Sequence, residues 1–240
     1  MIRNRFFTSC ALIFFLLSDI SAEESESQKK YIKGNIYDKT AAVREASGAE
    51  SEILSRWAID FSLRNREILG NDRDLGALAV AGILSLPKDY IASSEQNVRD
   101  AMMQKFIAVF TAFNDENVRS AVINKVSVLR DYYAVNPFAD TLNTYLSKNV
   151  VTADSEQGVV KDAIVALGLI GNSNSFDVLN NAYRQKKWQQ YENELTVSMG
   201  QIADKALSEI LGIIQEGNIQ NIREIFNVLV KNEKNSLETL

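Results

Sequence analysis

The chain contains no histidine, one cysteine and two prolines in 240 residues. Without histidine no side chain ordinarily titrates near neutrality, which removes imidazole acid–base catalysis and the usual zinc sites. A lone Cys10 cannot close a disulfide inside the chain. No glycine-rich phosphate loop is present either. Gly168 and Gly171 fall within and at the end of a predicted helix, where close packing and a helix stop account for them. Acidic pairs occur at Asp72 with Asp74 and at Asp115 with Glu116. They stand at predicted helix starts, where carboxylates complement the helix dipole. Neither pair has the ligand pattern of a calcium site or a glycosidase. No catalytic residue, cofactor site or metal ligand is therefore expected.

What is present begins with a start typical of export. Arg3 and Arg5 precede an apolar run from Phe6 to Leu17, and Ile20-Ser21-Ala22 supplies a small-residue exit before Glu23-Glu24. That arrangement reads as a secretory signal over residues 1–22, cleaved near Ala22. The alternative, a retained anchor, is short of the roughly twenty apolar residues that a membrane-spanning helix needs. Cys10 precedes most of the apolar run, which is the wrong order for a lipoprotein. Cleavage removes Arg3, Arg5 and Asp19 and takes the net charge from −5 to −6. The mature chain has no cysteine, so its stability rests on its apolar core. Its acidic balance opposes a general nucleic-acid binder, which needs a basic face.

Beyond the signal, residues 23–40 are polar and charged and read as a flexible segment. From 41 to 233 the apolar residues recur at helical spacing, with no period-two strand. Val98, Ala101, Met102, Phe106, Val109, Phe110 and Phe113 make one stripe. Val118, Ala121, Val122, Val126, Leu129 and Tyr133 make a second, and residues 163–170, 195–203 and 222–230 carry three more. Ile53, Leu54, Trp57 and Phe61, then the small-residue segment 75–86, read as helices packed closely on neighbours. Breaks are expected at Asn71-Asp72, Ser93-Ser94, Asn114-Asp115, Asp154-Ser155, Asn172-Ser173-Asn174 and Gly217-Asn218. Pro87 and Pro137 flank helices instead of interrupting them. The count is ten or eleven helices, and residues 234–240 read as a C-terminal tail.

Two stretches echo each other thirty-two residues apart. Ala166-Leu167-Gly168-Leu169-Ile170-Gly171 aligns with Ser198-Met199-Gly200-Gln201-Ile202-Ala203, and Asp177-Val178-Leu179 with Glu209-Ile210-Leu211. A fixed period of that size marks stacked helical repeats. The run from Val160 to Gly171, with an apolar residue, a basic one and a small-apolar ladder ending Leu-Gly-Leu-Ile-Gly, resembles the first helix of a HEAT repeat. Val118-Arg119, Ile222-Arg223 and Val98-Arg99 resemble its opening. The resemblance implies an all-α fold, an α-solenoid of about five antiparallel helix pairs that presents its second helices to partners. Asn124 and Lys125 interrupt the ladder, and the spacing from Val118 to Val160 is 42 while Val160 to Ile222 is 62. Armadillo-like and tetratricopeptide arrays therefore stay open as alternatives, although the aromatic signature of the latter is not visible. Arg119, Lys161 and Arg223 recur at one repeat position and are expected to reach acids or carbonyls of a neighbouring repeat.

One segment invites a functional reading. Tyr183-Arg184-Gln185-Lys186-Lys187-Trp188-Gln189-Gln190-Tyr191 clusters aromatic and basic side chains, the types that dominate binding hot spots. Arg184, Lys187, Trp188 and Tyr191 are the candidate partner-binding residues. The competing reading packs Tyr183 and Trp188 between repeats and leaves the lysines in water; Tyr132-Tyr133 faces the same choice. The expected function is a non-enzymatic, exported scaffold that binds a protein partner in a bacterial periplasm or envelope. No nucleic-acid partner and no membrane span after cleavage are expected. Enzymes with similar repeats, such as bilin lyases and DNA-repair glycosylases, and a cell-wall or membrane-surface structural role are the alternatives.

Overall fold

A computed structural model describes residues 25–130, 135–148 and 157–237. The signal at 1–22, Tyr132-Tyr133 and the break at Asp154-Ser155 lie outside the described residues. Among the described residues there are thirteen α-helices and no strand, so the fold is all-α. In chain order the first seven are α1 Glu26–Lys33, α2 Ile36–Glu45, α3 Gly48–Leu69, α4 Arg73–Ser85, α5 Lys88–Ser93, α6 Gln96–Ala112 and α7 Glu116–Val128. The remainder are α8 Asn136–Ser147, α9 Gln157–Ile170, α10 Ser173–Arg184, α11 Glu192–Gln201, α12 Leu207–Gln215 and α13 Ile219–Leu237. Short 3₁₀ turns at Gln189–Tyr191 and Ala203–Ala206 precede α11 and α12.

Local chemistry sets most boundaries where the sequence places them. Asp72 caps α4 by accepting from the N–H groups of Asp74 and Leu75. Asp115 does the same for Val118 at α7, and Asn172 forms a reciprocal capping box with Ser175 at α10. Pro87 precedes α5 and Pro137 lies in the first turn of α8, where a missing N–H costs nothing.

Two expected boundaries are corrected. Residues 23–40 are not wholly a flexible segment, because α1 and the start of α2 lie there. Ser25 and Asn35 each close a capping box, with Gln28 and Asp38, and Tyr31, Ala42 and Val43 are buried. A terminal helix needs only one apolar face, so a polar composition hides it. At the other end α13 runs to Leu237 instead of ending at 233. Residues 231–236 contain neither glycine nor proline to stop it.

The helices lie in two rows. In one, α2, α4, α7, α9, α11 and α13 pack in succession; in the other, α1, α3, α6, α8, α10 and α12 do. Across the rows the pairs α1–α2, α3–α4, α6–α7, α8–α9, α10–α11 and α12–α13 are in contact. That makes six pairs where about five were expected, and the small α5 links two of them. One apolar cluster runs from Ile59 in α3 to Val228 in α13, and a smaller one joins α1–α2 to α3–α4. No helix among the described residues is long and apolar enough to cross a membrane.

Small residues bring neighbours together. A Cβ on Gly82 would lie 2.9 Å from the Ser55 carbonyl and 2.9 Å from the Ala58 Cβ in α3. One on Gly168 would lie 2.9 Å from the Ser198 Cα in α11, so the two echoed stretches pack on each other. Lysines then bridge successive pairs. Lys125 of α7 donates to the carbonyls of Leu84 and Leu86 at the end of α4, Lys187 to Leu146 at 3.0 Å, and Lys205 to Gly171 at 3.1 Å. Each cation meets the negative end of a helix dipole. This explains why Lys125 interrupts the apolar ladder of α7. Burial pushes the Lys125 and Lys187 amines below the ordinary lysine value.

Gly168→Val tests the close approach. The new side chain collides with the α11 backbone, and a loss of about 1–3 kcal/mol is expected in urea unfolding.

Candidate protein-binding face

Among the described residues, four surface clefts touch the row that contains α1, α3, α6, α8 and α10, and one of them is also lined by α11 and α13. The largest, 610 Å³, runs along α3 and is lined by Tyr31, Arg56, Trp57, Asp60, Phe61 and Arg64 among others. These α3 residues share one helix face because their spacings fall within a narrow arc of the 3.6-residue period. The core side of α3 is made of Ser51, Leu54, Ser55, Ala58, Ile59 and Ser62. Trp57 therefore sits on the flank of the expected stripe and is partly exposed. Small serines let α4 come close and turn the large aromatic outward.

The α3 groove combines aromatic faces with charges of both signs. The Tyr31 and Trp57 rings are 5.7 Å apart, and the Lys39 amine lies 5.0 Å from the Tyr31 centroid. Lys39 also donates to the Tyr31 carbonyl, closing the end of α1. Asp60 pairs with Lys105 of α6 at 2.6 Å and Arg56 with Glu52 at 3.2 Å. Burial, with Asp60 adding to it, pushes the Tyr31 hydroxyl well above the ordinary phenol value. It stays neutral at any physiological pH.

The segment singled out from sequence lies at the end of α10. There the Lys187 N–H donates to the Ala182 carbonyl and the Lys186 N–H to Tyr183. This is the Schellman pattern, which puts its turn residue in the left-handed region. That residue is Lys186, with φ of 53°, where glycine is the usual occupant. The reversal swings Trp188 back into the core, leaving it 5% exposed.

The four candidate residues thus part company. Arg184 is exposed and shares a 310 Å³ cleft with Tyr183, Lys186, Trp188, Glu192 and Glu224. Trp188 forms that cleft's inner wall instead of an exposed anchor, because the core takes up its ring. Lys187 lies 4.6 Å from the Trp188 ring centroid, donates to the end of α8, and borders a separate 250 Å³ cleft between α8 and α10. Tyr191 is half-buried and its hydroxyl donates to the Gln157 carbonyl at 3.0 Å. Burial, followed by Glu192 and Glu224, raises the Tyr183 hydroxyl above its ordinary value.

Sequence reading missed Glu192 and Glu224, which reach the cleft from α11 and α13; their convergence has no sequence signal. It also missed Arg56 and Arg64, which share a face with Trp57 and were detectable by spacing. Of the recurring basic residues, Arg119 donates to the Phe110 carbonyl at 3.3 Å and stacks over Phe110 and Tyr145. Lys161 pairs with Glu194 of α11 at 3.3 Å. Arg223 is exposed. Comparison with protein-family models, with curated proteins and with solved structures gave no match.

Truncation separates wall from rim. Trp188→Ala should lower unfolding stability by about 3–5 kcal/mol, whereas Arg184→Ala should stay within about 0.5 kcal/mol of wild type. Chemical denaturation monitored by circular dichroism measures both.

Proposed function

We propose that the chain is a non-enzymatic, exported α-solenoid of HEAT-like helix pairs, serving as a scaffold that holds a protein partner along the row beginning with α1 and α3. The observation that carries this reading is the position of the four clefts. They involve helices of one row, α1 with α3, α3 with α6, α8 with α10 and the end of α10, the last also lined by α11 and α13. Helices that pack mainly on their neighbours in sequence leave much surface exposed per residue, which suits extended partners. Trp57 and Tyr90 supply aromatic area there, and Arg56, Arg64 and Arg184 supply charge-assisted donors. The basic and apolar start supports export, placing the partner in a bacterial periplasm or envelope.

Two measurements test it. A compact domain of this size has a radius of gyration of about 17 Å; small-angle scattering of dilute monomer should exceed that clearly, and a value near it removes the solenoid. Immobilised mature protein should retain a defined set of envelope proteins that Trp57→Ala/Arg64→Glu releases. Equal retention by both forms counts against this face.

A further inference from the structure

We propose that the groove along α3 takes an acidic, extended polypeptide segment, which seats an apolar side chain on Trp57 and Phe61 and a carboxylate on Arg64. The inference rests on the partner-binding reading above and names the chemistry of that partner.

Charge sets the class. The chain as a whole is acidic, with 31 Asp and Glu against 26 Lys and Arg. The α3 cleft and the 280 Å³ cleft that adjoins it through Arg56 reverse that balance, since their lining holds Arg56, Arg64 and Lys105 against Asp60 alone. Two of these cations are already matched. Arg56 pairs with Glu52 at 3.2 Å, and Lys105 takes Asp60 at 2.6 Å. Arg64 is different: it is exposed and has no ion pair or hydrogen bond among the described residues. The groove therefore offers a free cation while its own carboxylate is occupied. A nucleic acid would need several free cations in succession, so a carboxylate on a polypeptide is the better match.

The remaining polar groups agree in kind. The Trp57 indole N–H, which can only donate, makes no hydrogen bond among the described residues. The Tyr31 hydroxyl belongs to the wall of the same cleft and is buried with no partner. Burial and the Asp60 charge keep its proton in place. A buried donor left unmatched costs the full desolvation of that group, and an acceptor brought by an occupant removes the cost. Unmatched donors, one of them a cation, call for carboxylates and for the backbone carbonyls of an extended chain.

Geometry sets the spacing. Trp57, Phe61 and Arg64 stand at offsets 0, 4 and 7, within one stripe of the helix. Seven residues at about 1.5 Å each put Trp57 and Arg64 about 10 Å apart along the axis. An extended chain covers that distance in about three residues. The segment thus carries its acidic residue three positions from its apolar one. The Tyr31 and Trp57 rings, 5.7 Å apart and tilted by 50°, form the apolar seat, and Trp57 is 37% exposed.

A display library of short random peptides, selected on the immobilised mature chain, tests this. The recovered set should be enriched in Asp and Glu three positions from a large apolar residue. Anisotropy of the best labelled peptide should show a loss of affinity of about tenfold or more for Arg64→Glu, with unchanged circular dichroism. Tyr31→Phe should weaken it about threefold without loss of unfolding stability. Exchanging the peptide's acidic residue for lysine should abolish binding to wild type and restore binding to Arg64→Glu. An empty selection, a recovered set without acidic bias, equal binding by Arg64→Glu, or displacement by a single-stranded oligonucleotide overturns the proposal. Peptides that lack acidic bias but are released by Trp57→Ala would sink this inference and leave the face a binding surface. Only equal retention of envelope proteins by wild type and Trp57→Ala/Arg64→Glu counts against the broader reading.

Discussion

Close approach between packed helices, consecutive or next-but-one along the chain, underlies the rest of the structure. It depends on small side chains at the contact: Gly82 against Ser55 and Ala58, Gly168 against Ser198. Dispersion contacts are individually small and fall away within an ångström of separation. A helix held one methyl group further out would lose much of its packing and leave the apolar cluster open to water. With no cysteine among the described residues, no disulfide compensates there.

Lysine completes what apolar packing begins. Four of them, Lys39, Lys125, Lys187 and Lys205, donate to carbonyls at the ends of other helices. Helix C-termini leave backbone acceptors unsatisfied, and a cation there gains both a hydrogen bond and the dipole field. The long aliphatic stem lies along apolar surface while the ammonium reaches the carbonyl. Register between neighbouring pairs is thereby specified by polar contacts that an apolar stripe alone does not provide. Lys187 joins this framework to the candidate face, since it also covers Trp188.

The surface divides by the same logic. On α12 and α13, Leu207, Leu211, Phe226 and Val230 remain exposed. Along the row of α3 and α10, grooves between neighbours collect aromatic walls with arginines at their rims.

How much of this was legible in the sequence differs from residue to residue. The all-α class, the capping at Asp72, Asp115 and Asn172, and the close helix packing at Gly168 followed from periodicity and short-range chemistry. These depend on residues a few positions apart, and local order is written locally. The helical character of α1 was not legible, because its polar composition conceals the single face that Tyr31 buries. Trp57 was misread, while Trp188 follows the packed one of the two readings the sequence offered. Serines at 51, 55 and 62 carry the α3 contact and turn Trp57 outward, while a left-handed Lys186 turns Trp188 inward. The convergence of Arg184 with Glu192 and Glu224 was decided by tertiary structure alone. It needs three helices brought together from forty residues of chain, and no spacing along one of them encodes the angle at which the others arrive.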